Sequence, residues 1–162
     1  MRTPVLEYVR VSTLESAADT RRLAVRVASH QILAIISEVA GEVGLDMIEA
    51  LIHAGVWTAN TEHLLEGKGG RYAKLRDLPP DSLRRPISDA ELMARLRLAP
   101  DIFAPYVERL IERGYLERVG AGLVAPSAVF TRPEMVRALE ACHAGVLELT
   151  RTLERIGADA AA

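Results

Sequence analysis

The chain has 162 residues, of which 49% are hydrophobic and 4% aromatic, and its formal net charge is −2. This length predicts one ordinary domain with an added oligomerisation arm, and the dominance of Ala, Leu, Val, Arg and Glu favours helix. The small net charge excludes a global positive field toward nucleic acid, so any such binding must use a local patch. The single cysteine, Cys142, excludes an internal disulfide and any multi-cysteine zinc site, and fits a reducing cytoplasm.

In chain order, the N-terminus MRTPVLEYVRVSTLES has no apolar core of the kind a signal peptide needs. Residues 5–11 read as a short strand or a loose arm. Asp19 or Thr20 can cap a long helix to about Val39. Its apolar residues Leu23, Val27, Ile32, Leu33, Ile35, Ile36 and Val39 surround much of the cylinder, and Gly41 and Gly44 should break it. A second apolar helix is expected from about Leu45 to Leu65, carrying Met47, Ile48, Leu51, Ile52, Val56, Trp57 and Leu64. Charges interrupt both apolar runs, so no membrane span is expected. Residues 1–65 thus form a helical region with more apolar surface than a small domain can cover, which points to a homodimer core.

Residues 66–86, EGKGGRYAKLRDLPPDSLRRP, read as a basic linker broken by glycine and proline. Residues 87–126 then follow a compact pattern. Ser88 and Glu91 make a capping box that starts a helix at Asp89. Arg97 and Leu98 form a turn. Phe103, Val107, Leu110 and Ile111 mark a second helix, and Gly114 sits where a terminating glycine belongs. Residues 115–118 and 123–124 read as two strands joined through Gly120, Ala121 and Gly122. This order is that of a winged helix-turn-helix.

In residues 127–162, Thr131 and Glu134 form another capping box, with Pro133 in the first turn. The apolar positions Met135, Leu139, Cys142, Val146, Leu149, Leu153 and Ile156 alternate spacings of four and three, a heptad seam that suits dimerisation. Gly145 and Cys142 should weaken it, and residues 157–162 should fray. The expected fold is mainly α: a winged helix-turn-helix with a small β-hairpin wing between long N- and C-terminal helices that dimerise.

Arg84-Arg85-Pro86-Ile87-Ser88, followed by Leu110-Ile111-Glu112-Arg113-Gly114-Tyr115-Leu116-Glu117-Arg118, resembles the bacterial winged helix-turn-helix transcriptional regulators over about half the chain. That resemblance implies duplex DNA as partner, with the second helix in the major groove. The start of that helix, Ala99-Pro100-Asp101-Ile102-Phe103-Ala104-Pro105-Tyr106, holds no Arg, Lys, Asn or Gln to read bases. Phosphate contacts should therefore dominate, from Arg84, Arg85, Arg95, Arg97 and Arg118, with Tyr106 beside them. Arg109 and Arg113 are expected in structural pairs with Glu108 and Glu112. The alternative is a winged-helix interaction module without sequence-specific DNA binding.

Other chemistry finds little support. Tyr8-Val9-Arg10-Val11-Ser12-Thr13 resembles the opening motif of serine site-specific recombinases, which implies Ser12 as nucleophile, but apolar helices follow where that fold needs alternating strands and helices. No enzymatic activity is expected. His30, His53, His63 and His143 show no metal-ligand spacing, so no metal or cofactor is expected. Trp57 and His53 read as core, with a pocket for an unknown small-molecule effector as the alternative.

Overall fold

The computed structural model describes residues 5–65, 70–72, 74, 75 and 77–156, with side chains from Arg21 onward. The side chains of Tyr8, Arg10 and Ser12, the linker residues Glu66, Lys68 and Arg76, and the tail 157–162 lie outside the described residues. The protein is mainly helical with a small three-stranded antiparallel sheet.

Helix α1 spans Val5–Val43 and helix α2 Met47–Thr61. The expected strand or arm at residues 5–11 is instead the first part of α1, and Gly41 does not break it. The break falls at Gly44, whose φ of 63° lets Leu45 N donate to Ala40 O at 2.9 Å and Gly44 N to Gly41 O at 3.2 Å. These two bonds close the helix in a Schellman motif. Asp46 and Glu49 then form a reciprocal capping box that starts α2. Strand β1 (Ile87–Ser88), helix α3 (Asp89–Leu96), helix α4 (Pro100–Glu112), strands β2 (Glu117–Val119) and β3 (Gly122–Val124) and helix α5 (Pro133–Arg155) complete the order.

Ser88 caps α3 as its spacing predicts, accepting from Glu91 N at 3.3 Å, while the Glu91 carboxylate turns to Arg95. Thr131 does not cap α5. It ends a 3-10 turn, Ser127–Thr131, and its hydroxyl donates to Ala128 O at 2.8 Å.

The chain divides into two compact units. One comprises Ile36–Ala141. Its core is formed by Ile52 and Val56 of α2, Leu92 of α3, Phe103, Val107 and Leu110 of α4, and Leu116, Leu123 and Val129, all essentially without solvent exposure. Each such side chain contributes about 1.5–3 kcal/mol when fully buried. The strand order is β1-β3-β2, with Ile87 opposite Leu123 and Arg118 opposite the same residue from the other side. Asn60 fastens α2 to this sheet. Its Nδ2 donates to Arg85 O (2.7 Å) and Leu123 O (3.1 Å), and its Oδ1 accepts from Ala125 N (2.9 Å).

The other unit holds α1 through Ile35 and α5 from Cys142. Residues 23–31 share a groove with residues 148–152, whereas Ile35 lies against Gly145, so these two helical segments run antiparallel. Gly145 permits this pairing: a Cβ there would meet Ile35 Cγ1 at 2.5 Å. Leu149 and Leu153 are half-buried. Val25 and Leu33 are 66% and 61% exposed, and Ile32 and Val146 are exposed as well. Within α1, Arg21–Val43 is long and apolar enough to cross a membrane, with a mean hydropathy of 1.4. The sequence reading missed this stretch because it required an uninterrupted uncharged run, whereas one or two charges are compatible with a span.

Candidate nucleic-acid interface

The helix, turn, helix and hairpin of residues 87–124 carry every arginine expected to touch phosphate except Arg84 and Arg85, which directly precede β1. The turn has an unusual backbone. Leu98 N donates to Met93 O at 3.1 Å, which requires the residue before it to be left-handed. That residue is Arg97, at φ 55° and ψ 38°, the sole non-glycine residue with positive φ among those described. A side chain in this region costs about 1–2 kcal/mol relative to the right-handed form. The Arg97 side chain is exposed and enters no ion pair among the described residues.

Helix α4 begins without a side-chain cap at Ala99 and with Pro100 in its first turn. Pro105 lies inside the helix and donates no hydrogen bond to the Asp101 carbonyl, yet α4 continues through it to Glu112. Asp101, Ile102, Ala104, Pro105, Glu108 and Glu112 are all exposed. The exposed face of α4 is therefore apolar and acidic at its start.

The six residues expected at an interface divide sharply. Arg84, expected to face phosphate, is instead inside the protein, with a side chain showing no exposure. It lies with its guanidinium 5.2 Å from the Phe130 ring centre. Burial lowers its pKa, and the charge of Asp81 offsets part of that effect. Arg95 is clamped by Glu62 (2.8 and 3.0 Å) and by Glu91 (2.7 Å), which raise its pKa. Arg118 of β2 makes a two-pronged pair with Asp89 (3.0 and 3.1 Å) and reaches Glu108 at 3.5 Å, again with a raised pKa. Tyr106 is half-buried beneath the Arg109 guanidinium, 4.2 Å from its ring centre. Arg85 and Arg97 alone among the six are exposed cations without a carboxylate partner among the described residues. Arg85's backbone is fixed by Asn60, to whose carbonyl its N–H donates at 3.1 Å.

Arg109 and Arg113 are indeed paired structurally, but with α2 rather than with their helical neighbours. Glu49, with its side chain 6% exposed, accepts from Arg109 Nε at 3.0 Å and Arg113 Nη1 at 3.1 Å. Its Oε2 also accepts from Asp46 N at 3.0 Å. Glu108 and Glu112 are thereby left at the surface, where they add negative charge to α4. The feature the sequence reading missed is this Asp46/Glu49 pair, whose capping spacing is visible at the start of α2.

Among the described residues, no group of three or more His, Cys, Asp or Glu side chains is arranged to hold a metal ion. No known protein family, curated protein or solved structure matches the chain.

Proposed function

We propose that this protein is a winged helix-turn-helix transcriptional regulator that binds duplex DNA as a homodimer in the cytoplasm. The observation that carries this reading is Arg97. A long cationic side chain occupies a turn position where glycine would be relaxed, stands exposed, and has no carboxylate partner among the described residues. Strain of this kind at a charged surface residue supports a functional role. In a helix-turn-helix, the turn lies close to where the first helix crosses the phosphate backbone. The order β1-α3-α4-β2-β3 and the sheet order β1-β3-β2 also support the reading.

The contact set narrows to Arg85 and Arg97. Arg95 and Arg118 can be recruited at small cost, because exposed ion pairs contribute only about 0–1 kcal/mol. Binding is electrostatic, with base readout through DNA shape. The homodimer covers Val25, Ile32, Leu33 and Val146, which otherwise expose apolar surface.

A second reading, a winged-helix interaction module, is favoured by one observation: α4 exposes Asp101, Glu108 and Glu112, and its start, residues 100–106, carries no base-reading side chain. Fluorescence polarisation with a pool of genomic duplex fragments, at low and moderate salt, separates the two. Retained duplex binding at low salt supports the regulator; its absence leaves the interaction module.

A further inference from the structure

Arg84 is a buried cation with unmet hydrogen-bonding capacity. Its Nε forms an ion pair with Asp81 Oδ1 at 3.2 Å. That oxygen also accepts from Ser127 N at 2.7 Å. Nη2 reaches Pro79 O at 3.4 Å, while Nε and Nη1 have no well-aligned hydrogen-bond partner among the described residues. A guanidinium held in this state is costly unless something completes its shell.

The side chain lines a cavity of about 340 Å³ between α2, the segment before β1 and the first turns of α5. This volume falls near the lower end of the range for small-molecule sites, roughly 300–1,000 Å³. The walls are mostly apolar: Trp57, Leu64, Leu78, Phe130 and Leu139, with Tyr72 among them. Trp57 and Phe130 lie 5.2 Å apart between ring centres, tilted by 44°. Lys74 and Asp77 also line the cavity, and Arg84, ion-paired with Asp81 on its Nε side, is the buried cation in its wall.

We propose that this cavity binds a small monocarboxylate with a flat or compact apolar body, its carboxylate on the Arg84 guanidinium and its body against Trp57 and Phe130. A guanidinium is suited to carboxylates because its N–H groups match their geometry. The apolar walls select against a naked inorganic anion, which would lose its hydration and gain no apolar contact in return. The site stands whether or not the protein engages DNA.

Trp57 is the only tryptophan in the chain and lines the cavity, so its emission reports occupancy directly. The full-length protein is titrated with benzoate and phenylacetate, with benzamide and phenylacetamide as neutral counterparts, and with inorganic phosphate. Saturable change of Trp57 emission and a raised melting temperature with the acids, at affinities at least tenfold above the amides and phosphate, is the expected result. In Arg84→Met the acids weaken about tenfold and the amides bind as before. The proposal is overturned if acids and amides bind equally, if phosphate matches the acids, or if neither emission nor melting temperature responds at millimolar ligand. Should Arg84→Met fail to fold, the acid-to-amide ratio of the unaltered protein decides by itself.

Discussion

Asn60 Nδ2 donates to the Leu123 carbonyl at 3.1 Å from a position with no solvent exposure. The same side chain holds the Arg85 carbonyl and the Ala125 N–H, so α2, the lead-in to β1 and the end of β3 meet at one amide. Asn60→Ala removes these bonds and leaves buried backbone groups unpaired, each costing about 1–3 kcal/mol. The expected loss of stability is about 3 kcal/mol, measured by urea unfolding. A loss below about 1 kcal/mol means that water or a shifted backbone replaces the amide.

Arg97→Gly should stabilise the fold by about 0.5–1 kcal/mol, because glycine adopts the left-handed turn without the Cβ penalty. Arg97→Ala keeps that penalty and should leave stability nearly unchanged. Both variants should weaken duplex binding alike. If Arg97→Gly proves less stable than Arg97→Ala, the arginine side chain contributes packing that outweighs the strain.

His53 gives a pH dependence of definite sign. Burial, then the charges of Arg132 and Arg84, lower its pKa from 6.5 to about 4. It packs at 5.7 Å between ring centres from both Tyr115 and Phe130. The folded state therefore keeps it neutral while the unfolded chain takes up a proton below pH 6.5. Its contribution is intact above 6.5 and is lost progressively as pH falls toward 4, by about 3 kcal/mol in all. His53→Leu should flatten this limb of the stability curve relative to the unaltered protein. Identical pH profiles for the two proteins would assign the acid sensitivity to carboxylates instead.

The exposed apolar side chains of α1 allow a clean test of association. Val25→Glu with Leu33→Glu places charge on side chains that are 66% and 61% exposed. The expected result is a folded monomer by light scattering and circular dichroism, against a dimer for the unaltered protein. Leu149→Glu with Leu153→Glu should instead lower helicity, since both residues are half-buried. A dimer unaffected by the α1 changes removes this face from the interface. Flotation of the unaltered protein with lipid vesicles would show that a bilayer covers it.

Much of the fold was legible because local signals were strong. The Ser88 cap, the apolar spacing from Phe103 to Leu110 and the terminating Gly114 are short-range features that tertiary contacts did not override. Strand β1 was not legible, since two residues carry no periodicity. The contact of Gly145 was not legible for a different reason: it depends on Ile35, more than a hundred residues away in sequence, which needs the space a Cβ would fill. The site was less legible than the fold. Arg84 and Arg85 are adjacent and chemically identical, yet one is buried against Phe130 and the other exposed. Composition marks both as basic and cannot say which carboxylates have already claimed Arg95 and Arg118.

The central claim is that duplex DNA is held through phosphates by Arg85 and Arg97, and it is tested most directly by the salt dependence of affinity. Log affinity falls with log salt by about 0.9 per phosphate neutralised, so two arginines in each protomer of a dimer give a slope of roughly −4. Arg85→Ala with Arg97→Ala should flatten that slope by about 3 to 4, whereas Arg84→Met, altering a buried side chain, should leave it unchanged. Flattening by Arg84→Met without flattening by the double variant, or no duplex binding by the unaltered protein at low salt, would contradict the account.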